Sequence, residues 1–114
     1  MKSSEFLHNL EQVNLLAGQY VDSKDADSCC PLSAQLTHDV REFIRSDMNK
    51  GGGPTELNVL NLIHVATGID IGKLEAFICE YDETANCYEA QGRADSDTLY
   101  DLALRVATKW GLIE

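Results

Sequence analysis

The sequence predicts a mainly α fold: a compact bundle of about five helices around a central apolar helix over residues 55–67. Three observations predict it. From Leu57 to Ala66, seven of ten residues are apolar, with only Asn58, Asn61 and His64 gathered on one side. A helix apolar around most of its circumference belongs inside a domain, covered by its neighbours. The flanking segments carry stripes at helical spacing. Gly51-Gly52-Gly53-Pro54 and Gly68, Gly92 and Gly111 punctuate them where helices end.

In chain order, Phe6, Leu10, Val13, Ala17 and Tyr20 recur at alternating spacings of four and three and predict a first helix over 4–21. Residues 22–28, D-S-K-D-A-D-S, read as a solvated loop. Their three aspartates lack the Gly and closing Glu of a calcium loop. A second helix is expected over 33–49, with Leu32, Leu36, Val40, Phe43 and Ile44 inward and Arg41, Glu42 and Arg45 outward. The glycine run at 50–54 gives a flexible joint, and Thr55 is suited to cap the central helix. Asp70 can cap a fourth helix over 71–82, whose stripe is Leu74, Phe77, Ile78, Tyr81, Ala85 and Tyr88. The alternative is α+β, with a β-hairpin near 74–92 turning at Asp82-Glu83-Thr84-Ala85-Asn86. A last helix over 97–110 presents Leu99, Leu102, Ala103, Val106, Ala107 and Trp110.

The 114 residues suit one small domain spanning 1–114, long enough to bury a core without staples. Nothing near the start reads as a signal peptide and no run reaches the length of a membrane span, so a cytoplasmic, non-membrane protein is expected. Cys29, Cys30, Cys79 and Cys87 are then thiols. Their spacings fit no zinc site, and small buried hydrophobes is the reading adopted for them. No metal or other cofactor is expected. No nucleophile–base signature or phosphate loop occurs, so the chain is not read as an enzyme.

Charge is the informative quantity. Nine basic against 19 acidic residues leave −10. Residues 70–101 hold nine of the acids against Lys73 and Arg93 only. Such a surface repels phosphate and favours a basic protein partner. The expected contacts are Glu75, Glu80, Asp82, Glu83 and Glu89, with Tyr81 or Tyr88 as an exposed anchor. The function expected is a small acidic interaction module that inhibits a nucleic-acid-handling enzyme by covering its positive surface, as immunity proteins and phage anti-defence proteins do. The alternative is a DNA-binding regulator using a helix-turn-helix over residues 55–82. Against it, the second helix offers Asp70, Glu75 and Glu80 with one lysine, and direct nucleic-acid binding is not expected. A third reading makes the first helix an oligomerising face; the sequence leaves the oligomeric state open.

Overall fold

The computed structural model describes residues 1–51 and 56–113, and the side chains of Glu56 and Leu57 are left aside. The described elements are α1 (Ser3–Glu11), β1 (Asn14–Leu15), β2 (Val21–Asp22), β3 (Asp25–Cys29), a 3₁₀ turn (Ser33–Gln35), α2 (His38–Asn49), α3 (Glu56–Thr67), α4 (Ile71–Ala90) and α5 (Ser96–Lys109). The molecule is mainly helical, with a small three-stranded sheet in the order β1-β3-β2. The sheet pairs β1 parallel to β3 and β2 antiparallel to β3.

The first helix is shorter than its stripe. It stops at Glu11, and the rest of the expected 4–21 span forms two strands and their connection. Val13, Ala17 and Tyr20 sit at helical intervals, yet Gly18 adopts φ +76°, outside any right-handed helix. The edges of β3 take up the backbone groups that a helix would have paired: Leu16 N–H donates to the Cys29 carbonyl at 2.9 Å and Cys30 N–H to that of Tyr20 at 3.0 Å. Leu15 and Val21 are buried by this pairing. Tertiary pairing has overridden a local periodicity.

The expected loop at 22–28 is the β2–β3 hairpin. Lys24 N–H donates to Asp22 Oδ1 at 3.1 Å across its tip. Alternation in β3 sends Ala26 and Ser28 inward, and Ser28 Oγ donates to Asp25 Oδ2 at 3.0 Å. Beyond β3 the chain dives into the protein, and residues 28–36 are buried without a break. Their polar groups are met internally. The Gln35 side-chain amide donates to the carbonyls of Phe6 and Pro31 and accepts from Asn9 Nδ2 at 2.9 Å.

The second helix begins at His38, capped by Thr37, whose Oγ1 accepts from Val40 N–H. Starting five residues later than expected, it decouples Leu32 and Leu36 from the helical phase. Phe43 is consequently 61% exposed while Arg41, expected on the outside, is 7% exposed. Val40 is half-buried and Ile44 buried as expected. The outer face grips the hairpin: Arg45 pairs with Glu42 and donates to the Ser23 carbonyl, which Asn49 Nδ2 also reaches at 2.9 Å.

Gly51 follows α2 with a positive φ; the remainder of the expected joint and the Thr55 cap lie outside the described residues. Helix α3 buries Val59, Leu60 and Ile63 on one side only. Leu62 is 40% and Val65 83% exposed, so α3 is not enclosed by its neighbours. Helix α4 packs on both α3 and α5, with one face buried and the other exposed. It runs unbroken for 20 residues, through the segment expected to turn in the hairpin alternative. Leu74, Phe77, Ile78, Tyr81 and Ala85 form its buried stripe, one continuous apolar face that a turn at 82–86 would cut. The rings of Phe77 and Tyr81, one turn apart, stack at 5.9 Å. Asp70 caps α4 through Lys73 N–H and Asp95 caps α5 through Thr98 N–H, as expected for both. The α5 stripe is buried from Leu99 to Ala107, with Trp110 37% exposed beyond it. Among the described residues, no helix is long and apolar enough to cross a membrane.

Candidate functional site

The outer face of α4 is built by default. Once the stripe from Leu74 to Ala85 faces the core, a 3.6-residue period turns Glu75, Cys79, Glu83 and Cys87 outward at four-residue intervals, and all four are exposed. Glu89 is exposed two residues beyond Cys87, to one side of that row. Glu75, Glu83 and Glu89 make no ion pair with any described residue.

The remaining expected contacts divide. Glu80 is half-buried, and Lys109 of α5 donates to its carboxylate at 2.5 Å. That charge is spent joining two helices. Asp82 is also half-buried and accepts from Gly18 N–H at 3.3 Å, tying α4 to the β1–β2 connection. Tyr81 is fully buried and cannot be a surface anchor: position 81 lies on the apolar stripe, and its hydroxyl donates to the Leu16 carbonyl at 2.9 Å. Burial pushes its pKa upward. Tyr88 is half-buried, with the Arg93 guanidinium 4.9 Å from its ring centre and Arg105 Nη2 donating to its hydroxyl at 3.0 Å. The neighbouring cations are thus drawn to Glu80 and Tyr88, and the outer row stays negative.

The cysteines split in the same way. Cys29 and Cys30 are buried as expected; Cys79 and Cys87 are exposed, because they fall between the carboxylates of the outer face. Burial, with Cys30 beside it, pushes the Cys29 thiol up to about 12, and burial pushes that of Cys30 to about 11. Both are protonated, unreactive thiols at neutral pH.

A second cluster was invisible in the sequence. Arg41, buried, donates to the carbonyls of Ala26 at 2.8 Å and Leu36 at 2.6 Å and to Asp27 Oδ1 at 3.1 Å. His38 Nδ1 meets the same Asp27 oxygen at 2.9 Å. Hydrogen bonds from His38 and Arg41 hold the Asp27 carboxyl below the usual carboxylate range. No local spacing signals this trio, whose members lie 11 and 14 residues apart. It fastens β3 to the start of α2, and Arg41 completes buried backbone carbonyls instead of facing a substrate. Among the described residues, no group of three or more His, Cys, Asp or Glu side chains is arranged to hold a metal ion.

A scan against protein families, a search of curated proteins and a search of solved structures return no match for this chain.

Proposed function

We propose that the protein is an acidic interaction module that docks through the outer face of α4 on a basic surface of a protein partner. A nucleic-acid-handling enzyme is the partner class that fits, and inhibition by covering its phosphate-binding surface is the mode. One observation carries the reading. Glu75, Glu83 and Glu89 are exposed along one helix with no cationic partner among the described residues, while Lys109 is engaged at Glu80 and Arg93 and Arg105 at Tyr88. Exposed carboxylates of one sign add to the self-repulsion of a protein of net charge −10. They also steer association with a positive surface and raise its rate. Immunity proteins and phage anti-defence proteins that block nucleases work in this way as a class, and the analogy extends to surface chemistry alone.

The test begins with the immobilised protein, host lysate and a salt step. The eluted partner is then measured against wild type and an E75K/E83K variant. Association is expected to slow by about tenfold or more at low salt, and its dependence on ionic strength to flatten. An association rate unchanged by the double reversal would sink the proposal. The DNA-reading alternative is weaker on the same evidence, because α4 would bring Glu75, Cys79 and Glu83 toward phosphates. A gel shift with duplex DNA at low salt is expected to show free DNA only.

A further inference from the structure

A cleft lies between the end of α1, β1 and the first turn of α5. Its volume is about 220 Å³, below the roughly 300–1,000 Å³ of small-molecule sites. Leu10, Val13 and Leu15 give it an apolar floor, Tyr100 a wall, and Glu11 and Asp97 an acidic rim. No Lys or Arg is among the described residues that line it.

Asp97 has a local reason to be there, since an acid in the first turn of α5 meets the positive end of the helix dipole. Glu11 has none. It is the last residue of α1, where the dipole is negative and a carboxylate destabilises. The partner it has is the Tyr100 hydroxyl, which donates to Oε1 at 3.5 Å, the outer limit of a hydrogen bond. Glu11 thus holds a charge against local preference beside an apolar floor, with no Lys or Arg among the described lining residues.

We infer that this cleft receives one arginine side chain of the basic partner. Apolar floor and acidic rim together select a long side chain with an apolar stem and a cationic head. Two carboxylates and an aromatic wall suit the flat, forked guanidinium better than a compact ammonium. The inference rests on the proposed function in one respect: the partner is basic.

The experiment is an NMR titration of the ¹⁵N-labelled full chain with a hexa-arginine peptide at low salt. Amide shifts are expected at 10–15 and 96–101. In an E11Q/D97N variant the affinity read at those amides should fall by about tenfold or more, because both charged acceptors become neutral amides. In E75K/E83K the same shifts should persist. Both rim residues are exposed, and an unchanged spectrum elsewhere shows that the variant is folded. Cleft shifts that survive E11Q/D97N undiminished overturn the assignment. Shifts along α4 that spare the cleft also overturn it and leave docking by the acidic helix standing. A peptide that perturbs neither surface overturns both.

Discussion

Single residues decide how the sheet and the helices are fastened. Arg41 is a charged side chain 7% exposed, placed where sequence periodicity points outward, and the reason is chemical. The carbonyls of Ala26 and Leu36 are buried, and only a long, forked donor satisfies both and still reaches Asp27. R41M should therefore cost about 2–5 kcal/mol, more than lost packing explains, measured by urea unfolding. Asp27 gives the pH counterpart. Its folded pKa lies below the ordinary 3.8, so its contribution is present above that value and is lost as pH falls through the lower folded one. Wild type should lose stability as pH falls below about 4 with a slope that D27N lacks, followed by thermal melts at successively lower pH. The cysteines give a simpler test. Maleimide should label two thiols, Cys79 and Cys87, in the native protein and all four in denaturant. Ready labelling of Cys29 in the native state would contradict the burial assigned to it.

At the scale of elements, α4 and the segment before it show what a stripe in the sequence can and cannot tell. The α4 stripe and the Asp70 and Asp95 caps were legible because burial and local capping agree there. The continuation past Asp82 was ambiguous, since D-E-T-A-N suits a turn as well as a solvated helix face. E83P separates the two structures: in a helix interior it costs about 3 kcal/mol, whereas a loop tolerates it. The loss should appear in the urea midpoint and as reduced helical circular dichroism. The span 12–21 misled because its stripe matches a helix while pairing to β3, with Gly18 in the left-handed region, supplies the competing structure. A methyl at Gly18 would stand 3.1 Å from Asn86 Oδ1, besides straining a left-handed backbone. G18A should cost about 1–2 kcal/mol.

For the whole molecule the governing quantity is the net charge of −10. Described ion pairs engage Asp27, Glu42 and Glu80, and 19 acids against nine bases leave self-repulsion in the folded state. Raising NaCl from about 0.01 M to about 1 M shortens the screening length from roughly 30 Å to 3 Å. The melting temperature at neutral pH should rise by about 4 °C, the shift that ~1 kcal/mol produces in a domain of this size. A melting temperature that falls with salt would show that attractive pairs dominate instead. The acidic face was legible as composition, because nine carboxylates in 70–101 cannot all be neutralised by two cations. Which of them stay free was not, because Lys109 and Gly18 reach Glu80 and Asp82 from distant parts of the chain.

The sequence by itself determined the helical class, the identity of four of the five helices, the burial of the α4 and α5 stripes and the sign of the surface, since each is a sum over neighbours in the chain. Only the tertiary structure decided the rest: that the apolar α3 is covered on one side only, that residues 28–36 are buried, and that a sheet replaces the end of the first helix. It also decided that Glu11, Asp97 and Tyr100 line one cleft. Those outcomes depend on hydrogen-bond partners and surfaces supplied from far along the chain, and no local pattern of apolar residues encodes which partner arrives.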